Sequence, residues 1–443
     1  MKRIISLTVI FTLVAIYTQA QGKWTLRQCV DYAVENNIDL RQQALDIKSA
    51  EIDLSTSKNS RLPDLNADVG QRFSFGRSTL ANNVTESVNS SNTSFGISTS
   101  IPVFTGFRIL NQIKSNEFRL LAATEGLRKA QENLELQVVS YYLDILFKKE
   151  ILKVHQEQLS YTITQVERTD ILVKSGKVPE SQLYDIKAQQ ASNELNVTMA
   201  NNDLSLSLLN LSQALNLPSS DSFDIEEPNL DNAIEDNIES VLPPDHVYQM
   251  VLGIKPHVKE AEYNLESSRK NLKVAQAGYW PTLNLGGGYG TSYQSTSNWD
   301  NPSFGTQMKN NASEYISLGL SIPIFNRFQT RNQVRSARLS ISNSELVLEN
   351  VKLALYKEIQ QAYQSATSAQ AKYGATQKSL EAAEESFKYA RERYDVGKST
   401  VFEYNEAQTK LSSSRSEQVQ AKYDFIFRAK ILDFYQGKEI DID

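Results

Sequence analysis

The sequence predicts a mainly α fold with a β-barrel part. A long antiparallel α-helical coiled-coil barrel joins a transmembrane β-barrel shared by three subunits, four strands from each and twelve in total. Three observations carry this prediction. The 443-residue chain is two copies of one unit. Each copy holds two alternating apolar stretches of about ten residues, the length of a tilted membrane strand. Each copy then enters a proline-free run, 107–175 and 328–396, whose length calls for coiled-coil support.

Self-similarity decides architecture before any local reading. Arg61-Leu-Pro-Asp-Leu-Asn66 matches Tyr279-Trp-Pro-Thr-Leu-Asn284 at an offset of 218. Ser100-Ile-Pro-Val-Phe104 matches Ser321-Ile-Pro-Ile-Phe325, and Gly176-Lys177 matches Gly397-Lys398, both at 221. The expected division is a leader at 1–20, repeat one at 21–230 and repeat two at 231–443. The join, 217–245, holds Pro218, Pro228, Pro243 and Pro244, with nine acidic residues and no Lys or Arg. It reads as an irregular, solvated connection.

The leader has a positive start, Met1-Lys2-Arg3, an apolar run from Ile4 to Ile16, and small residues at Thr18-Gln19-Ala20. That is a secretory signal peptide, with cleavage expected after Ala20. Residue 21 is Gln, so no lipid-modified cysteine is expected at the mature end. After residue 20 nothing approaches the roughly 20 apolar residues of a membrane helix. The mature chain therefore stays soluble outside the cytoplasm or crosses a membrane as strands, since only helices and closed barrels span lipid. The net charge of −6 is mild and forms no basic stripe, which argues against nucleic acid as a partner. Cys29 is the only cysteine, so no intrachain disulfide is possible. Its helical neighbours Leu26, Val30 and Ala33 mark it as a small core residue.

In chain order, helices are expected over about 26–60, then Pro63 opens strands at about 64–75 and 94–104. Residues Phe95, Ile97, Thr99, Ile101 and Val103 alternate with Gly96, Ser98, Ser100 and Pro102. In repeat two, helices at about 245–279 lead to Pro281 and strands at about 282–293 and 314–325. There Ile316, Leu318, Leu320, Ile322 and Ile324 alternate strictly with Ser317, Gly319, Ser321 and Pro323. Period two means one apolar and one small polar face. Aromatics gather at both ends. Phe73, Phe75, Phe95, Tyr289, Tyr293 and Tyr315 lie toward the hairpin loops; Phe104, Phe107, Trp280, Phe325 and Phe328 lie toward the helices. Two membrane interfaces select such belts. A pair of hairpins on a soluble core would alternate similarly. Edges decide between them: four strands leave two open edges, lipid forbids these, and the smallest usual barrel needs about eight strands. Several subunits must share one barrel. The loops, about 76–93 and 294–313, are Ser/Asn/Thr-rich.

The long helices are expected at about 107–175 and 328–396, each roughly 100 Å at 1.5 Å per residue. An unbroken three-four spacing runs Ile359, Ala362, Ala366, Ala369, Tyr373, Thr376, Leu380, Ala383, Phe387, Ala390, Tyr394. Such a seam imposes a left-handed supercoil, and its alanines allow close approach. Return helices at about 180–216 and 401–435 are too short to match the long ones alone. Each long helix should pair with a return helix near its Gly turn and with a pre-strand helix near the barrel.

No catalytic constellation appears. His155, His246 and His257 are scattered, and no metal-ligand spacing or nucleophile arrangement occurs, so no enzyme, metal or cofactor is expected. Gly286-Gly-Gly-Tyr-Gly290 lies inside a strand and reads as a thin lumen wall. Gly397-Lys-Ser-Thr400 lacks the earlier glycine of a P-loop, because that position is Glu392.

At this point the chain resembles the TolC-type outer-membrane efflux family over nearly all of its mature length. The resemblance rests on Trp24-Thr-Leu-Arg-Gln-Cys-Val-Asp-Tyr-Ala-Val-Glu-Asn-Asn37, on the openings at Pro63 and Pro281, and on the Gly turns. It rests also on Ile101-Pro-Val-Phe-Thr-Gly-Phe107 and Ile322-Pro-Ile-Phe-Asn-Arg-Phe328. It implies a homotrimer in the outer membrane of a Gram-negative type envelope, with a long periplasmic extension and contact with outer-membrane lipid. It implies a passive exit duct of a tripartite efflux or type I secretion system. The partners implied are a periplasmic adaptor (membrane fusion) protein and an inner-membrane pump of RND, ABC or MFS type. The turns at Gly176, Lys177, Gly397 and Lys398 would form the periplasmic tip and dock the adaptor. Glu403 and Glu406 would line the gate, and Pro63, Pro102, Pro281 and Pro323 would mark the strand-to-helix junctions. Departures from the family are Asn326-Arg327, where it often has glycine, and a two-residue shift after Pro179 around Asp185. A soluble periplasmic coiled-coil adaptor or scaffold protein is the competing reading. It would share the leader and the long helices but does not need alternating strands.

Overall fold

The computed structural model describes residues 23–79, 85–219, 223–228, 242–297 and 299–438. The expected leader at 1–20 and most of the acidic join lie outside the described residues. The elements are α1 (Leu26–Asn36), α2 (Ile38–Asn59), β1 (Asn66–Ser74), β2 (Arg77–Thr79), β3 (Thr85–Ser87) and β4 (Ser90–Phe104). Then come α3 (Arg108–Lys174), α4 (Glu180–Ala214), α5 (Pro244–Val251) and α6 (Pro256–Gln276) with a 3₁₀ turn at Ala277–Tyr279. The chain continues with β5 (Thr282–Thr296), α7 (Phe304–Asn310), β6 (Ser313–Ser321), α8 (Gln329–Asp395) and α9 (Val401–Tyr435). Among the described residues no helix is long and apolar enough to cross a membrane.

Several boundaries differ from expectation for local reasons. The helical stretch 26–60 breaks at Asn37, whose backbone is extended. Its Oδ1 accepts from the amides of Asp39 (2.9 Å) and Leu40 (3.3 Å), so it ends α1 and caps α2. The stretch 245–279 breaks before Pro256, which lacks an amide hydrogen and sits at the first position of α6. β6 stops at Ser321 instead of 325, because Pro323 cannot donate to the ladder. β4 and β5 extend further toward the loops, to Ser90 and Thr296. The loops also carry structure: β2 pairs β3, and Ser303 caps α7 through the Thr306 amide.

Two compact units cut across the repeats, each built from part of both. The first comprises the described residues up to Ala44, Gly126–Val258 and those from Val351 on. It is helical. α4 runs antiparallel to α3, with Asn193 Nδ2 donating to Thr162 Oγ1 at 2.7 Å and Ser207 Oγ donating to Asp144 at 2.5 Å. α9 runs antiparallel to α8, with Tyr373 stacked on Phe425 at 6.1 Å. The seam alanines Ala362, Ala366, Ala369 and Ala383 are buried. The core gathers Cys29, Val138, Tyr142, Ile145, Leu211, Leu215, Ile225 and Ile426. Burial pushes the Cys29 thiol up to about 12, so it is an inert core residue.

The same unit clamps the stretch around Trp24 to the segment 223–228. Trp24 bridges Ile225 in parallel, its amide donating to the Asp224 carbonyl at 3.0 Å. The Tyr142 hydroxyl reaches the carbonyls of Trp24 (3.2 Å) and Glu226 (2.8 Å). Lys149 lies 2.6 Å from Asp224 and 3.3 Å from Glu227, and Lys153 lies 3.0 Å from Glu227. The Lys153 hydrogen bond lowers the Glu227 pKa against the opposing effect of burial. At Asp224 burial acts upward, but the bonds from Lys149 and the Ile225 amide outweigh it.

The second unit, Leu45–Glu125 and Lys259–Asn350, holds one four-stranded antiparallel sheet in the order β1-β4-β5-β6. Asn66 faces Ser98 across β1–β4, and Asn284 faces Gly319 across β5–β6. The offsets of 218 and 221 map one pair onto the other, so both repeats fold their hairpin in the same register. Below the sheet, α2 packs on α3 through Leu54, Ile109 and Ile113. α6 packs on α3 and on α8: Ser267 meets Ser115 at 2.9 Å, and Ser268 meets Ser344 at 3.0 Å. Each long helix thus pairs with a return helix in one unit and a pre-strand helix in the other.

Two outcomes are expected for the clamp. Tyr142→Phe takes the hydroxyl donor from the Glu226 carbonyl, while the Trp24 carbonyl keeps the Glu226 amide, and lowers stability by about 1 kcal/mol, read as an earlier unfolding midpoint in detergent. The stabilisation from Asp224 and Glu227 is complete above the ordinary carboxylate range and is lost as pH falls below about 4. Proteolysis between α4 and α5 should therefore speed up in acid, and less so in Lys149→Ala.

Candidate functional site: the sheet wall and the helix turns

The register sorts the strand residues onto two faces. On one face Val69 lies opposite Phe95, Ile97 opposite Tyr289, Ile101 opposite Leu285, and Leu285 opposite Leu318. On the other Asp68 lies opposite Gly96, Ser98 opposite Gly288, Ser100 opposite Gly286, and Gly286 opposite Ser317. The result is a wall with one apolar and one small polar side. Tyr315 departs from the expected belt. It pairs with Gly288 on the polar side, where a Cβ on Gly288 would stand 2.7 Å from the Tyr315 ring. Glycine there makes room for an aromatic ring on the polar face.

Chirality settles which helix faces continue these sides. The Asp64 amide donates to the Ser100 carbonyl at 3.1 Å, so even-numbered residues of β4 turn their backbone groups toward β1. For L-residues, a view from the polar side with the loops up then shows β1, β4, β5, β6 from left to right. α6 and α8 extend β5 and β6 in that order. Their right-handed winding puts Ser268 and Ser344, bonded at 3.0 Å, on the polar side. It puts Arg269 and Glu345, paired at 3.5 Å, on the apolar side, together with Arg331, Arg335 and Arg338.

The junction prolines differ in setting. Pro63 and Pro281 precede their strands, Pro102 lies inside β4 beside a register shift, and Pro323 lies past the end of β6. After each second strand come two consecutive residues with positive φ: Gly106 (61°) and Phe107 (65°), then Arg327 (55°) and Phe328 (63°). They turn the strand into the long helix, and Phe107 and Phe328 stack edge-on against Phe104 and Phe325. A Cβ at Gly106 would stand 2.6 Å from Trp280 Cβ, so glycine is required there for space as well as conformation. Sequence reading noted the Arg327 departure but not the paired left-handed turn.

In the helical unit, both long helices end in the same way. Gly176 (φ 69°) and Gly397 (φ 73°) take the left-handed position after the helix. Lys177 N donates to Leu172 O (3.0 Å) and Gly176 N to Val173 O (2.8 Å). Lys398 N donates to Arg393 O (2.8 Å) and Gly397 N to Tyr394 O (3.0 Å). These bonds close two Schellman motifs. The return helices end likewise at Asn216 (φ 54°) and Gly437 (φ 77°), again an offset of 221. The starts differ. Pro179 caps α4 without a side-chain bond, whereas Thr400 and Glu403 form a capping box on α9.

That box gives the two candidate gate carboxylates different roles. Glu403 accepts from Ser399 Oγ at 2.5 Å and from the Thr400 amide at 3.0 Å, and these bonds lower its pKa. Glu406 stands one turn on, on the exposed surface of α9. Beside the turns, Arg168 of α3 pairs with Asp395 and lies over the Tyr394 ring. Gln165 Oε1, Thr169 Oγ1 and Gln408 Nε2 are buried there without a hydrogen-bond partner. No cluster of three or more His, Cys, Asp or Glu side chains able to hold a metal occurs among the described residues.

A sequence model described as "Outer membrane efflux protein" matches residues 29–217 and 247–433. The outer membrane efflux protein BepC of Brucella suis is 21% identical over 428 residues, covering 96% of this chain and 88% of its own. A crystal structure of CusC superposes with a TM-score of 0.79 at 18% identity, covering 94% of this chain and 92% of the other. The CmeC outer membrane channel of Campylobacter jejuni gives 0.80 at 18%, covering 93% and 85%.

The turns generate one prediction. Nothing lies within 4 Å of an added Cβ at Gly397, so only backbone conformation opposes substitution. Gly397→Val should lower stability by about 1–2 kcal/mol. Gly397→Asn should be close to neutral, since Asn216 already holds that conformation. Denaturant midpoints of the two variants check this.

Proposed function

The chain belongs to the outer membrane efflux protein family and is an outer-membrane efflux channel subunit, and on that premise we propose that three copies close one duct. The observation that carries the reading is the four-stranded sheet with free edges at β1 and β6 and one apolar face. Val69 (71%), Ile316 (87%) and Leu318 (68%) are exposed on that face. Lipid leaves no solvent for the unpaired amides and carbonyls of those edges, so another copy must pair them. Membership of this family also decides against the soluble adaptor.

The internal repeat supports one way for a neighbouring copy to fit. Within the chain, Gly96 of β4 faces Gly290 of β5, and Thr99 faces Gly287. By the repeat offsets, we propose β6 against β1 of the neighbouring copy, Ser317 opposite its Arg72 and Leu320 opposite its Val69. The same operation converts the Phe118–Tyr263 ring stack into Leu339 against Leu45 of the neighbour. Leu339 and Leu45 are 73% and 60% exposed in the single chain. With three copies the strands number twelve.

We propose further that the chain serves as the passive exit duct of a tripartite system, its turns at Gly176, Lys177, Gly397 and Lys398 meeting a periplasmic adaptor. A pump in the inner membrane supplies the energy, and the family is one of channels rather than enzymes. The gate carboxylate is Glu406, with Glu403 holding the start of α9. The unsatisfied polar atoms around Gln165 and Gln408 mark the seam along which the turns part.

Two measurements test this. Ser317→Cys with Arg72→Cys should give disulfide-linked dimers and trimers under mild oxidation, while Ser317→Cys with Ser74→Cys should give few. Absence of linked species in the first pair would remove the proposed closure. In bilayers, Glu406→Gln should weaken cation preference more than Glu403→Gln does, because a ring of free carboxylates favours cations. Equal effects would return the gate role to both residues.

A further inference from the structure

An open groove of about 570 Å³ lies between the end of α6 and the start of α8. Gln276, Tyr279 and Trp280 form one wall, and Arg331, Arg335 and Arg338 form the other. The arginines fall at i, i+4 and i+7, one face of the helix. All three are exposed. Among the described residues no carboxylate lies within ion-pairing distance of any of them. Glu345, further along the same face, is held by Arg269 at 3.5 Å. Arg331 stands in the first helical turn, where the helix dipole disfavours a cation. It is stacked over Phe328 at 5.7 Å, which leaves its hydrogen-bond donors free.

Repeat one has no such feature. The positions 221 earlier are Leu110, Lys114 and Glu117, and there Lys114 and Glu117 neutralise each other at 2.7 Å. The uncompensated charge is therefore particular to this groove, once per chain. Its position is also particular. It opens on the same side as the apolar face of the sheet, directly below the end of β6. Tyr279 and Trp280 expose about half of their surface beside it, 55% and 54%. Aromatic rings with a polar edge settle where hydrocarbon meets headgroups.

We infer that this groove binds the phosphate headgroup of an anionic glycerophospholipid of the inner leaflet of the outer membrane. Three guanidinium groups hold the phosphate oxygens in forked hydrogen bonds. Tyr279 and Trp280 flank the glycerol, and the acyl chains run up the apolar face past Ile322 and Leu320. Basic pockets at membrane-facing helices bind anionic headgroups in this way. The inference rests on the reading of the strands as a membrane barrel. It adds a ligand, one per subunit, that fastens the barrel–helix junction to the leaflet it meets.

Native mass spectrometry of the full-chain protein, with added phosphatidylglycerol or phosphatidylcholine at equal concentration, tests it. The wild type should retain phosphatidylglycerol at least about tenfold better, up to one per subunit. Arg331→Gln/Arg335→Gln/Arg338→Gln should lose that preference, and Lys114→Gln should keep it. Arg335→Gln alone, a milder change, should weaken it. Equal retention of the two lipids by the wild type overturns the inference. So does inorganic phosphate displacing the lipid at matched concentration, or a stretch of acidic peptide displacing it, since either points to a soluble ligand. Bilayer conductance measured on the same samples separates the two levels. A conducting protein without lipid preference sinks this site alone, and a protein that forms no pore sinks the barrel reading beneath it.

Discussion

The whole architecture answers to the unpaired backbone at the two ends of a four-stranded sheet. In water, β1 and β6 could leave their outer amides and carbonyls to the solvent. In hydrocarbon each such group costs several kcal/mol. Closing the sheet between copies removes the cost at every edge residue together. The requirement then propagates. Two edges must share a register, the strands must tilt alike, and the helices below must meet the neighbour's as they meet each other.

The duplicated sequence meets that demand economically. Both hairpins have one register, both long helices leave their strands through two left-handed residues, and both end in the same Schellman turn. In the proposed closure, the contact between repeats inside the chain is the template for the contact between chains. Where the repeats differ, one copy carries something its counterpart lacks. Arg327 replaces the glycine that Trp280 demands at position 106, Thr400 and Glu403 form a capping box on α9 where α4 starts at Pro179 without a side-chain bond, and the Arg331–Arg338 face replaces a neutralised pair.

Much of this was legible in the sequence because periodicity survives without structure. Strict alternation at 316–324 marked the apolar face, the proline-free runs marked the long helices, and the offset glycines marked the turns. Other features were hidden because they depend on what lies across the fold. The Asn37 break follows from a side chain that caps the next helix, and helix periodicity on either side conceals it. Tyr315 shares the parity of Ser317 and Gly319, and what the sequence leaves open is the room that Gly288 makes for its ring. Glu403 and Glu406 looked equivalent until Ser399 and Thr400 engaged one of them. Lys255 reads as an ordinary surface cation, yet it is buried 3.6 Å from the Phe434 ring centre with Glu132 at 3.2 Å. The arginine spacing 331, 335, 338 was a signal open to sequence reading, and its meaning came only with the aromatic wall opposite.

Hydrogen exchange of the lipid-embedded protein addresses the closure of the sheet most directly. If copies pair edge to edge, the outward-pointing amides of β1 and β6 exchange as slowly as those of β4 and β5, which are paired within the chain. Fast exchange confined to β1 and β6, with β4 and β5 protected, would mean that the edges stay open and that this sheet does not close through its neighbours.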